Sequence, residues 1–226
     1  VSAVAEGLAR VRERIARAAQ AAGRAPASIR LVAVSKTKPA EAVREAYAAG
    51  QRDFGENYAQ ELAGKAEALY DLEDVRWHFI GHLQSNKAKI VAPLAHLVHT
   101  VDSASLVREL DKRLRAVHPE KKLPVLVEVN VGGEALKHGA APADVGALLD
   151  AVDAAPSLAL RGLMTMPPHD LDAARRAFED LVALRDAHGG AARLPELSMG
   201  MSDDLEVAIA CGATIVRVGT AIFGAR

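Results

Sequence analysis

Cysteine is almost missing from this chain: Cys211 stands alone among 226 residues. A disulfide framework within the chain is therefore excluded, and a reducing compartment, the cytoplasm, is the expected location. No sign of charge dominates either, with 28 Lys and Arg against 29 Asp and Glu and a net charge of −1. Basic runs are absent. A nucleic-acid or anionic-membrane partner thus has no electrostatic support. Long apolar runs are also lacking, because Arg, His or Glu interrupts each of them before membrane-spanning length is reached. The N-terminal segment 1–20 carries Glu6 and Glu13 among its alanines and arginines, and it lacks the continuous apolar centre of a signal peptide.

What is present suits a soluble globular protein: 50% hydrophobic and 25% charged residues, enough for a sizeable core. The length fits one α/β domain over residues 1–226, with no composition shift to mark a linker. Val4, Leu8, Val11 and Ile15 recur at helical spacing and predict an opening helix, closed by Gly23 and Pro26. Eight short apolar runs then read as strands: 31–36, 53–57, 76–81, 97–102, 125–130, 158–166, 196–201 and 214–220. Segments of helical composition lie between them. Pro39 and Gly50 bracket the first, Ser103 precedes Leu106, Leu110 and Leu114, Pro142 opens another, and Leu171, Phe178, Leu181 and Leu184 mark one more. Ser202, followed by Asp203 and Asp204, reads as the N-cap of a helix that ends at Gly212.

Strand–helix alternation of this kind predicts a parallel sheet, and eight repeats predict a single (β/α)8 TIM barrel with an extra N-terminal helix. An open doubly wound sheet is the runner-up, but it needs a glycine-rich loop after its first strand. Here that position reads Ser35-Lys36-Thr37-Lys38-Pro39, without glycine.

In such a barrel the site lies at the C-terminal ends of the strands, with phosphate commonly held after strands seven and eight. Side chains alternate along a strand, so Val32, Val34 and Lys36 share a face and Lys36 stands in the mouth. Burial among apolar walls favours the neutral amine, the form that attacks an aldehyde. A solvated strand-end lysine is the commoner case, and position alone does not outweigh it. Strand seven runs into Ser198-Met199-Gly200-Met201-Ser202 and strand eight into Val218-Gly219-Thr220. Each supplies a hydroxyl and a glycine where barrels hold anions, although turn and capping chemistry explains either one by itself. If Val216 and Val218 face the helices, Arg217 points inward and needs an acceptor: a ligand atom, or an internal carboxylate such as Glu56 or Glu128. Asn57 ends strand two and either touches a ligand or caps the next helix.

These residues match a known family. Ala33-Val34-Ser35-Lys36-Thr37, Phe54-Gly55-Glu56-Asn57-Tyr58, His78-Phe79-Ile80-Gly81-His82-Leu83-Gln84, Gly162-Leu163-Met164-Thr165-Met166, Ser198-Met199-Gly200-Met201-Ser202-Asp203-Asp204 and Arg217-Val218-Gly219-Thr220-Ala221-Ile222-Phe223-Gly224 resemble the pyridoxal phosphate homeostasis proteins. The likeness runs in order along nearly the whole chain. It implies pyridoxal 5′-phosphate as cofactor, held as a Schiff base on Lys36. By the same resemblance Ser198, Ser202, Gly219 and Thr220 hold the phosphate, Arg217 faces the pyridine nitrogen and Asn57 lies close by. His82, Met199 and Gly200 are further candidate contacts, and Lys38 or Lys137 is a candidate second lysine. The implied fold is the barrel shared with the cofactor domain of alanine racemase. Val131-Gly132-Gly133-Glu134 departs from the family pattern and is expected to alter a rim loop that carries Lys137.

No metal is expected. His78 and His82 share a strand face, but four residues at about 3.3 Å each separate them too far for one ion. Met164 and Met166 read as core filling. The function that the resemblance implies is intracellular storage and delivery of pyridoxal phosphate without substrate turnover, with apo-enzymes that use this cofactor as partners. A monomer is expected, with the apolar face of the first helix covering the barrel as readily as it would serve an interface. A pyridoxal-phosphate-dependent amino-acid racemase is the alternative. It needs a second acid–base group, which in alanine racemase is a tyrosine from a further domain; no such domain follows strand eight here, and Tyr47, Tyr58 and Tyr70 fall in expected helices. Arg217 opposite the pyridine nitrogen would also weaken the ring as an electron sink. A Schiff-base aldolase is a third reading, disfavoured because its lysine usually comes late in the barrel.

Overall fold

The structure, a computed structural model, describes residues 2–133 and 138–224. Eight parallel strands close into a barrel in sequence order. In chain order the elements are α1 (Ala3–Ala21), β1 (Arg30–Val34), α2 (Ala40–Ala48), β2 (Asp53–Glu56), α3 (Ala59–Ala68), β3 (Arg76–Phe79), α4 (Ala88–Leu94), β4 (Leu97–Val101) and α5 (Ala104–Val117). They continue with β5 (Leu123–Glu128), α6 (Val145–Asp153), β6 (Leu158–Met164), α7 (Leu171–Ala187), α8 (Gly190–Arg193), β7 (Glu196–Ser198), α9 (Leu205–Cys211), β8 (Ile215–Val218) and α10 (Thr220–Phe223). All eight expected strands are present. Each ends earlier than the apolar run suggests, because the last residues of every run leave the ladder to form the mouth.

Two apolar layers hold the barrel together. The outward faces of the strands, among them Ala33, Phe54, Phe79, Val127, Leu163 and Val216, pack under the helices in one continuous core. Inside the barrel a smaller cluster of Val32, Leu97, Leu126, Met164 and Ile215 fills the space between the walls. The opening helix starts at Ser2, whose Oγ accepts from the Ala5 N–H at 3.2 Å, and it buries Leu8, Val11, Ile15 and Ala19. That face lies against α2, α9 and α10. Among the described residues β8 is followed by the single turn of α10, and α1 packs against that turn and α9 on the outside of the barrel. Gly7 permits the approach: a Cβ there would lie 2.7 Å from the Ile222 carbonyl oxygen.

One helix reading needs correction. Helix α9 begins at Leu205 with Asp204 as its N-cap, so Ser202 stands in the preceding turn and caps nothing. The Asp204 carboxylate instead turns back to accept from the Met201 N–H at 2.5 Å. Leu171, Phe178, Leu181 and Leu184 all lie on α7 as expected, with Ala174, Ala177, Phe178 and Leu181 its buried residues and Leu171 51% exposed at its start. No helix among the described residues is long and apolar enough to cross a membrane.

Candidate functional site at the barrel mouth

Lys36 follows the last residue of β1 by two positions, half-buried, in the turn at the mouth. Val32 beneath it faces the interior, as alternation requires. The backbone on both sides of Lys36 is clamped. From α3 the buried ammonium of Lys65 donates to the Ser35 carbonyl oxygen at 2.6 Å, to Glu56 Oε1 at 2.7 Å and to Glu61 Oε1 at 2.8 Å. The Ser35 hydroxyl donates to Glu56 Oε1 at 2.6 Å, and the Thr37 N–H donates to Glu61 Oε1 at 2.6 Å. This bracing holds Thr37 at φ 63°, a left-handed conformation unfavourable for a β-branched residue. Lys65 and Glu61 were not legible as part of the site. They are four apart on a helix, the spacing of an ordinary solvated pair.

Arg217 points inward, 3% exposed, while Val216 and Val218 pack outward. Neither carboxylate expected as its partner pairs with it. Glu56 lies on the helix side of the sheet, bound to Lys65. Glu128 is close enough only to act through space. The guanidinium instead donates to Ser198 Oγ at 2.6 Å, the Thr165 carbonyl oxygen at 3.0 Å and Met166 Sδ at 3.1 Å. Burial lowers its pKa to about 10, and Glu128 and Asp204 oppose that fall. Met166, expected in the core, is 42% exposed at the mouth.

Ser198 is fully buried inside the barrel. Its hydroxyl lies between Arg217 and His99 Nδ1, the latter at 2.8 Å. Alternation then sends Met199 outward into the helix-facing core, so its side chain is turned away from the mouth. Gly200 takes φ 98°, and a Cβ there would lie 2.6 Å from that of Ala208. Its carbonyl oxygen accepts from the Arg217 N–H at 2.9 Å. Ser202 is half-buried in the turn, held through its carbonyl oxygen by Arg14 Nη2 at 2.8 Å. Gly219 and Thr220 complete this side of the mouth, Gly219 half-buried and Thr220 exposed. A side chain on Gly219 would crowd Val34 on the neighbouring strand, 3.1 Å from its carbonyl oxygen.

Across the mouth, Asn57 follows β2 and leaves the capping position of α3 to Tyr58. Its Oδ1 is buried without a hydrogen-bond partner. Gly81 presses on it, since a Cβ there would lie 2.1 Å from the Asn57 carbonyl oxygen. Asn57, Tyr58, Phe79, His82 and Lys87 line a rim cavity of about 220 Å³. Tyr58 is thus on the mouth side, 54% exposed. Among the described residues nothing hydrogen-bonds its hydroxyl.

His82 is exposed on the rim, stacked on His138 with ring centroids 3.7 Å apart and planes 9° from parallel. Its Nδ1 lies 3.5 Å from Asp102 Oδ2. The ligand atoms of His82, Asp102 and His138 lie within 4.8 Å of one another. Nearby, Glu128 is 5% exposed and its Oε2 lacks a partner. Burial pushes its carboxyl up to about 7, Asp102 adds to the rise and Arg217 opposes it. Lys38 is half-buried beside Lys36. Lys137 lies outside the described residues.

Residues 7–226 match the family model for the alanine racemase N-terminal domain. The pyridoxal phosphate homeostasis protein of Pseudomonas aeruginosa is 53% identical over 100% of this chain and 97% of its own length. The Escherichia coli protein of the same name is 45% identical over 99% and 97%. The chain belongs to the pyridoxal phosphate homeostasis family. Among solved structures, PipY of Synechococcus elongatus with PLP bound superposes with a TM-score of 0.80 at 38% identity, covering 98% of this chain and 100% of that one. Alanine racemase of Corynebacterium glutamicum, at 18% identity and a TM-score of 0.69, covers 99% of this chain and 61% of its own, and shares the fold.

Proposed function

We propose that this protein holds pyridoxal 5′-phosphate on Lys36 and serves as a monomeric, cytoplasmic store and donor of that cofactor, without turning over a substrate. The observation that carries the reading is the clamped turn. Lys65 and Glu61 fix the backbone before and after Lys36, and β1 pairs with β8 so that Val32 lies opposite Arg217. The lysine and the arginine therefore belong to adjoining strands of one mouth.

The remaining groups fit the cofactor. Ser202, Gly219 and Thr220 offer hydroxyl and main-chain donors to a phosphate, with small side chains that permit close approach. The N–H groups of Arg217 not taken by Ser198, Thr165 and Met166 suit a ring-nitrogen acceptor. The unpartnered Asn57 Oδ1 awaits a donor. Lys36 would hold the cofactor through its Nζ, and the cofactor's aldehyde would supply the electrophilic carbon that this amine takes with loss of water. The phosphate assignment is narrower than the family resemblance implies, because both sides of the Ser198 hydroxyl are already taken.

Absence of turnover is supported by Tyr58. A group that moves protons stereospecifically must be oriented, and this rim tyrosine is more than half exposed with no partner for its hydroxyl among the described residues.

The test is spectroscopic and chemical. Protein given pyridoxal phosphate is expected to show the yellow imine absorbance, and borohydride should bleach it and fix the cofactor to a peptide containing Lys36. Lys36→Ala should abolish the colour; undiminished absorbance in that variant overturns the assignment. Enantiopure amino acids should stay enantiopure, and racemisation faster than about 1 per second would make the protein an enzyme. Loaded protein should activate an apo-enzyme, and failure where free cofactor succeeds would remove the delivery role.

A further inference from the structure

Barrel interiors of this class are ordinarily packed with branched apolar side chains. Here a polar column replaces part of that packing. His78 on β3 and His99 on β4 both face inward, 1% and 0% exposed. His78 Nε2 lies 2.9 Å from Asp53 Oδ1 and His78 Nδ1 lies 2.8 Å from His99 Nε2. His99 Nδ1 lies 2.8 Å from Ser198 Oγ, which accepts from Arg217 Nη1 at 2.6 Å. The column runs from the floor of the barrel to the mouth. At the floor, Arg76 bonds both oxygens of Asp53 at 2.9 and 2.6 Å, beside a cavity of about 600 Å³. Five polar side chains buried in this way cost stability unless every bond is made.

The two ends dictate where each hydrogen lies. A guanidinium only donates and an ionised carboxylate only accepts, so Ser198 Oγ accepts from Arg217, Asp53 accepts from His78 Nε2, and with both rings neutral the Ser198 hydrogen goes to His99 Nδ1. His99 therefore carries its hydrogen on Nε2 and gives it to His78 Nδ1. His78 in turn carries its hydrogen on Nε2 and gives it to Asp53. Burial works against ionisation of Asp53, but hydrogen bonds from Arg76 and His78 outweigh it and keep the carboxyl well below its ordinary range. It is then a pure acceptor. Burial lowers both histidines, which keeps them neutral as the line requires.

We propose that Asp53, His78, His99 and Ser198 are positioning residues, a one-way hydrogen-bond line that orients the Arg217 guanidinium at the mouth from the opposite end of the barrel. Three of its five N–H groups are fixed by Ser198, Thr165 and Met166, so the others present a set direction to an acceptor. The inference rests on the reading of Arg217 as the group that meets the cofactor ring, but its first test does not.

That test is long-range ¹H–¹⁵N spectroscopy of histidine-labelled full-length protein without cofactor. Both His78 and His99 should show the neutral Nε2–H tautomer, unchanged between pH 6 and 9. An Nδ1–H tautomer or an imidazolium on either ring at pH 7.5 overturns the proposal. The second readout is the imine absorbance of loaded protein against pH. His99→Phe should move its midpoint by about one unit and weaken cofactor binding roughly tenfold, with His99→Gln restoring part of both. A His99→Phe protein that keeps the wild-type midpoint and affinity also overturns it. If wild-type protein forms no imine at all, the cofactor reading fails, and the tautomer measurement still decides the line.

Discussion

The ammonium of Lys65 lies 2.6 Å from the carbonyl oxygen of Ser35, the residue just before Lys36, and 2.7 Å from Glu56. A buried cation on a helix thus holds the turn that carries Lys36. Removing it leaves the Glu56 carboxylate, 0% exposed, without its counter-charge. Lys65→Met should destabilise the fold by about 3–5 kcal/mol, read from urea denaturation. Lys65→Met combined with Glu56→Gln should recover much of that loss, because no fully buried charge is left uncompensated and the remaining Glu61 reaches solvent. Additive losses in the double variant would mean that the two groups do not act as a pair.

The proposed phosphate contacts can be separated from the interior hydroxyl by comparing two ligands. Ser202→Ala and Thr220→Ala should each weaken pyridoxal phosphate binding by roughly tenfold or more, the loss expected for a hydrogen bond to a charged group. Both should leave binding of pyridoxal, which lacks the phosphate, nearly unchanged. Ser198→Ala should affect the two ligands equally, since its hydroxyl serves Arg217 and His99. A phosphate-selective loss in Ser198→Ala would return that residue to the phosphate site.

Glu128 gives the fold a pH signature. Its carboxyl rises from 4.5 to about 7 on folding, so the folded state binds the extra proton between those values. The stabilisation is fully present below about pH 4.5 and is lost as pH rises through 7, by about 3 kcal/mol at most. The buried histidines shift the opposite way, so the comparison must be made between variants. Glu128→Gln should flatten the fall in melting temperature between pH 5 and 8 relative to wild type. Parallel curves would assign the pH dependence to other groups.

Gly81 should be intolerant of even one carbon. A Cβ there would overlap the Asn57 carbonyl oxygen, and the relief must come from main chain. Gly81→Ala is expected to cost about 1–3 kcal/mol in stability and to lower cofactor affinity through the displaced Asn57, measured by titration of the imine absorbance. Unaltered affinity would place Asn57 outside the site.

Much of this was legible along the chain. The eight apolar runs became eight strands, and the inward aim of Arg217 followed from alternation with Val216 and Val218, a property of the strand alone. Lys36 at the mouth was equally readable, although β1 stops at Val34 and the lysine stands in the turn beyond it. Other features were hidden by sequence distance. His99 meets Ser198 from 99 residues away, and nothing local in either strand marks the partner. Ser202 looked like a cap because it precedes two aspartates, yet the Met201 N–H claims Asp204 and moves the helix start.

The sequence by itself determined the periodicities, and hence the elements, the faces they bury and which residues stand at strand ends, because these depend on backbone geometry repeating over a few residues. Only closure of the barrel decided which buried polar groups meet. Ring register sets those pairings across the interior, and there an unpaired donor or acceptor is too costly to leave.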